Sequence, residues 1–136
     1  MSDDVSAEIV DGPLPDAEPW TVPGAGAVLV FEGVVRPDEG GRPIVALEYE
    51  SYDPMARAEL LRLAREAADR FALLGVEVWH SRGRVPVGRC SFRLRVAAVH
   101  RKEALAAVDC YVDRLKQEVP IWKRAVGADG IAEESA

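Results

Sequence analysis

Between Arg89 and Ala98 two chemistries alternate with a period of two. Cys90, Phe92, Leu94, Val96 and Ala98 fall on one side, and Arg89, Ser91, Arg93 and Arg95 on the other. Only a β-strand sends successive side chains to opposite faces, so this stretch belongs to a sheet with one apolar and one polar face. The apolar face needs a covering layer, and the arginine row is expected to be a wet sheet face or a partner surface. This one segment excludes an all-helical fold.

The covering layer is legible in two helical patterns. Asp53-Pro54 marks a helix start, with Asp as the N-cap and Pro at the first helical position. Leu60, Leu63, Ala64, Ala67 and Phe71 then form an apolar stripe, opposed by Arg57, Arg62, Glu66 and Asp69. A second helix follows His100-Arg101, with Ala104, Leu105, Val108, Tyr111, Val112 and Leu115 as its stripe. Pro120 lacks a backbone donor and disfavours helix at Val119, so that helix stops just before it. Further strands are expected at Ala27–Val35, Ile44–Tyr52 and Val76–Ser81, with a short one at Ile9-Val10. The run Ala27–Val35 is nearly all apolar, which suits a strand buried on both faces or one facing a partner. Hairpin-like spacings and two main helices point to a single α+β domain with a mainly antiparallel sheet.

Residues 1–23 read as an acidic, Pro-rich lead-in, 24–126 as the α+β body and 127–136 as an acidic tail. The net charge of −6 is carried by the ends: of 23 acids, six lie in residues 1–18 and three in 129–136, where no base is found. The body therefore sets 14 acids against 17 Lys and Arg, a net +3. An acidic total argues against nucleic-acid binding, while a mildly basic body leaves room for a small-anion site. No apolar run approaches membrane-spanning length, and Cys90 and Cys110 lack metal-ligand spacing. No membrane, metal or cofactor is expected. The cysteines are expected to be reduced, buried and inert, and the compartment to be the cytoplasm.

The residues with chemical potential are cations. Leu115-Lys116-Gln-Glu-Val-Pro120-Ile121-Trp122-Lys123-Arg124 places three of them around an apolar Ile-Trp pair that is expected to be buried. Alone, Lys116 is a helix-end lysine that complements the dipole. Arg36 ends a strand beside the turn Pro37-Asp-Glu-Gly40-Gly41, and His100-Arg101 opens a helix where unpaired N–H groups favour anions. His80 reads as a satisfied structural residue. Arg101 and Lys116 are separated by roughly 22 Å along a helix, so one copy of that helix cannot easily offer both to one pocket. If these cations share an anion site, a second subunit supplies part of it. No Walker loop, GxGxxG, GxSxG, HExxH or Cys/His cluster competes with this reading.

The segments Gly26-Ala27, Phe31-Glu-Gly33-Val-Val35-Arg36, Leu47-Glu-Tyr49-Glu50, Met55-Ala56, His80, Gly83, His100-Arg101 and Leu115-Lys116…Pro120-Ile-Trp-Lys123-Arg124 closely resemble the large, catalytic subunit of molybdopterin synthase. The likeness runs from about Ile9 to Gly130. It implies an α/β hammerhead-like fold and a homodimer within a heterotetramer. At each end the homodimer would bind a small ubiquitin-like sulfur-carrier subunit with a thiocarboxylated Gly-Gly tail. The implied reaction passes sulfur from that tail to cyclic pyranopterin monophosphate, making the molybdopterin dithiolene. By the same resemblance Lys116 and Lys123 are catalytic, and Arg36, His100, Arg101, Lys116, Lys123 and Arg124 bind substrate, with His100 and Arg101 reaching across the dimer. Clustered cations would attract both anions, and each lysine would transfer protons or stay charged. Three positions depart from the family pattern: Ser81 stands where Arg is frequent, Ala125 where Glu is usual, and a Trp after Asp129-Gly130 is missing. The alternative reading is a non-catalytic relative that docks a ubiquitin-like partner or binds a phosphometabolite.

Overall fold

The structure, a computed structural model, describes residues 4–133. In chain order the strands and helices are β1 (Val5–Asp11), β2 (Ala27–Val34), β3 (Asp38–Glu39), β4 (Arg42–Pro43), β5 (Ala46–Ser51), α1 (Met55–Arg70), β6 (Gly75–Pro86), β7 (Cys90–Ala98), α2 (Arg101–Glu118) and β8 (Ile121–Val126). The main sheet runs β2-β7-β6-β5-β8, and β3 and β4 form a separate two-stranded hairpin. Every pairing is antiparallel except β1 with β6. The α+β class with two helices is therefore what the chain adopts. Among the described residues no helix is long and apolar enough to cross a membrane.

The organising strand is β6, which is twelve residues long rather than the six expected from Val76–Ser81. Its first half pairs with β7 on one side and β1 on the other, and its second half pairs with β5. Gly83, with φ of 85°, sits where the partner changes from β1 to β5. A backbone of that kind favours glycine and breaks the alternation, which hides the continuation from a pattern reading.

One face of the sheet packs on both helices. Leu94, Val96, Val76 and Val78 meet Leu60, Leu63 and Ala64 of α1 and Ala104 and Ala107 of α2, all with almost no exposed surface. At about 25 cal/mol per Å² of apolar area, this layer is the main source of stability. Tyr111 joins the helices by donating its hydroxyl to the Leu60 carbonyl at 2.8 Å, and burial pushes its phenol well above the ordinary value. The start of α1 differs from expectation. Asp53 does not cap it: Pro54 holds the cap position, and the Asp53 carboxylate instead accepts from Ser51 Oγ at 3.0 Å and from Arg82.

The opposite face overturns another expectation. Ser91, Arg93 and Arg95 are buried rather than wet. The segment after β1 crosses over Arg93 and Arg95, with its own Leu14 and Val22 buried, while Ser91 turns to the Tyr49 hydroxyl. Arg93 donates to the Pro15 carbonyl (2.8 Å) and to Glu32 (2.7 Å), while Arg95 donates to the Glu18 carbonyl (2.6 Å) and to Glu77 (2.8 Å). Trp79 and Trp20 flank the Arg95 guanidinium at 5.0 and 5.1 Å. A buried guanidinium needs its donors filled, and carbonyls from a segment without ladder partners fill them. The cysteines also depart from expectation, since both are only partly buried.

Candidate active site

The chain reverses direction between α2 and β8. Lys116 lies in the last turn of α2, which closes when the Val119 N–H bonds the Leu115 carbonyl and the backbone turns extended before Pro120. β8 then pairs with β5 in a register that sets Lys123 across from Tyr49 and Ala125 across from Leu47. Arg36 follows the end of β2. These three elements bring Arg36, Lys116 and Lys123 to one cavity of about 260 Å³. Lys123 is thus held by a strand ladder. The Ile-Trp pair does not anchor it as expected: Ile121 packs on the core, but Trp122 is 57% exposed. Neighbours on a strand face opposite ways, and here Ile121 takes the core side while Trp122 takes the solvent side.

Aromatic rings, interleaved with aliphatic side chains such as Val35, Ile44, Leu47 and Leu115, make up much of the cavity wall. Tyr49 meets His80 edge-on at 5.1 Å, His80 is 5.8 Å from Phe92, and Phe31 packs at 6.0 Å from Phe92. The Tyr49 hydroxyl pairs with Ser91 Oγ at 2.9 Å. Burial raises its phenol above the ordinary value, opposed by the Ser91 hydrogen bond and by the nearby Lys123 charge. His80 donates from Nδ1 to the Ser81 carbonyl at 2.8 Å, and burial pushes its imidazole below the ordinary histidine range. It is satisfied, as expected, yet it also lines the cavity. A site with aromatic walls and cationic edges suits a flat heterocycle that carries an anionic group.

Acidic residues close the mouth. Asp38 and Glu39 of the β3–β4 hairpin line the cavity, and Glu39 lies 3.1 Å from Lys123 Nζ and 3.9 Å from Arg36. Sequence reading passed over Glu39, Tyr49 and the aromatic walls. For Glu39 the signal was its place in the Gly-rich loop beside Arg36, and for Tyr49 its alternation with Leu47.

Three expected site residues lie elsewhere in this copy. Arg124 faces away from Lys123, donating to Glu50 at 2.8 Å in a separate depression bordered by Arg82. His100 and Arg101 sit at the opposite end of α2, both exposed, with His100 Nδ1 4.0 Å from Glu103. The long separation inferred for Arg101 and Lys116 therefore stands, since both lie on the single helix Arg101–Glu118.

The sequence matches the family described as MoaE protein over residues 13–118. The molybdopterin synthase catalytic subunit of Pyrococcus abyssi is 41% identical over 105 residues, covering 77% of this chain and 71% of the relative. Those of Oryza sativa subsp. indica and of Homo sapiens are 42% and 36% identical, over 78% and 76% of this chain. The aligned part spans only 55% of each of these two relatives. Molybdopterin synthase from Staphylococcus aureus superposes with a TM-score of 0.81 at 29% identity, over 95% of this chain and 96% of that one. A protein–protein complex of subunits 1 and 2 of molybdopterin-converting factor from Helicobacter pylori gives 0.75 at 22% identity, a likeness of fold, over 95% of this chain and 89% of the other. With the family pattern covering most of its length and the fold matching throughout, the chain belongs to the MoaE protein family.

Proposed function

We propose that this chain is a molybdopterin synthase catalytic subunit. It would pass sulfur from the thiocarboxylated Gly-Gly tail of a small ubiquitin-like subunit to cyclic pyranopterin monophosphate. The observation that carries the reading is the convergence of Lys116 and Lys123, from different elements, on one aromatic-walled cavity with Arg36. The tail and the substrate are both anions, and three cations offset the repulsion between them. Lys123, beside the Tyr49 ring, and Lys116, on the facing wall, are the proposed catalytic residues, transferring protons or holding developing negative charge. Arg36 is assigned to substrate binding.

His100, Arg101 and Arg124 remain assigned to substrate binding. For His100 and Arg101 the proposal requires a second copy, whose α2 start would complete the site. In support, β2 is an edge strand of the main sheet, with Val28, Val30 and Val34 exposed by 47, 54 and 52%. An uncapped apolar edge of this kind invites pairing, and we assign it to a homodimer within a heterotetramer. We place the reaction in the cytoplasm, where two unpaired thiols, Cys90 and Cys110, suit a reducing compartment.

The test is turnover with a thiocarboxylated small subunit and cyclic pyranopterin monophosphate, reading the dithiolene product. Product from the unaltered chain is expected. Tight binding of the small subunit without product would leave the docking-only alternative standing.

A further inference from the structure

We infer that Glu39 is a positioning residue that occupies the anion place of the cavity at rest, and that an incoming carboxylate-bearing tail displaces it. The inference rests on the proposed synthase reading for the identity of the tail, but its geometry is independent. Glu39 reaches Lys123 with Oε2 at 3.1 Å and Arg36 with Oε1 at 3.9 Å, one oxygen toward each cation. A tail carboxylate or a phosphate entering the same cavity offers the same kind of oxygen pair to the same cations. Both cannot hold Lys123 and Arg36 at once.

The hairpin that carries Glu39 stands apart from the main sheet. Asp38–Glu39 and Arg42–Pro43 are joined by Gly40 and Gly41, both with positive φ (60° and 82°), and the hairpin belongs to no larger sheet. Its base is closed by the Ile44 N–H on the Pro37 carbonyl at 3.0 Å, and its far strand reaches the body through the pairing of Arg42 with Glu133. Glu39 is partly buried, whereas Lys123 is half exposed and Arg36 mostly exposed, so the resting pairs are solvent-screened and cheap to exchange. Glu39 therefore tunes entry: it pre-orients Lys123 and lowers the local positive field, so that weak monovalent anions do not occupy the site. A ligand must bring its own carboxylate, together with contacts along the aromatic wall, to take the place.

The experiment is calorimetric titration of the full chain with a synthetic peptide ending in a Gly-Gly carboxylate, and separately with inorganic phosphate. It compares the unaltered chain with Glu39→Gln, Lys123→Ala and the double variant. Glu39→Gln keeps shape and hydrogen bonding, and a thermal melt confirms its fold. It is expected to bind both probes about two- to fivefold more tightly, the range of an exposed ion pair. That gain is expected to vanish in the Lys123→Ala background, because Glu39 acts through Lys123. Equal or weaker binding by Glu39→Gln, with Lys123→Ala still weakened, overturns the role of Glu39 and leaves the cationic site standing. Unchanged binding by Lys123→Ala overturns both.

Discussion

The two ends of α2 are built from similar residues and do opposite things. At its C-terminal end Lys116 faces a walled cavity, joined there by Lys123 and Arg36 and countered by Glu39. At its N-terminal end His100 and Arg101 are also cationic or donor side chains, and both lie exposed, with Glu103 near His100. Cations alone do not make a site. The difference lies in what surrounds them: a reversing chain, a paired edge strand and a hairpin at one end, open solvent at the other. Under the proposed function the exposed end would be completed by the cavity end of a second copy.

The sharpest way to break the comparison is at the cavity end. Lys116→Ala is expected to keep the fold and lose about a hundredfold or more in the rate of dithiolene formation, within the usual range for removing a proton-transfer group. Next comes Arg101→Ala, expected to cost about ten- to a hundredfold, the worth of a charge-assisted contact to phosphate. Co-expressing the two variants sharpens the contrast. If Lys116 of one copy works with Arg101 of another, random pairing restores about a quarter of full activity, because mixed dimers have one intact site of two. If each site is complete within one copy, mixing restores nothing.

Much of this architecture was legible in the sequence, and the gaps have physical causes. The period of two in β7 and the stripes of α1 and α2 are local patterns, and they survive folding. The burial of Arg93 and Arg95 was not legible, because it depends on carbonyls of Pro15 and Glu18 far away in sequence. Lys116, Lys123 and Arg36 were found as cations. The wall around them was missed because Phe31, Tyr49, His80 and Phe92 come from four strands and look like core. Ala125 is instructive. As a departure from the family's Glu it suggested lost function, but it sits buried with Val35, Ile44, Leu47 and Val85. Restoring the acid, Ala125→Glu, is expected to cost about 2–3 kcal/mol of stability in a urea melt, since an unpaired carboxylate would enter an apolar cluster.

The smallest expected effect concerns how the cavity end of α2 is fastened. Glu118 accepts from Arg114 at 2.7 Å and from Arg62 at 3.1 Å, and those guanidiniums hold its carboxyl down to about 2 from the usual 4.5. A lowered folded value means the contribution is present above pH 4.5 and is lost as pH falls from there toward 2. Thermal melts across that window are expected to fall slightly more steeply for the unaltered chain than for Glu118→Gln. Parallel curves would show that the network is too well hydrated to matter.

The segment that covers Arg93 and Arg95 also sets an order of events. Pro15 and Glu18 are synthesised well before the strand whose guanidiniums they satisfy exists. β1 likewise waits for β6, pairing Val5 with Val76. A segment made before α1 therefore finds its partners only after α1 and two further strands have followed it. Until β7 is made, the carbonyls of Pro15 and Glu18 have no guanidinium to meet, and their docking is the step that closes the arginine face of the sheet to water.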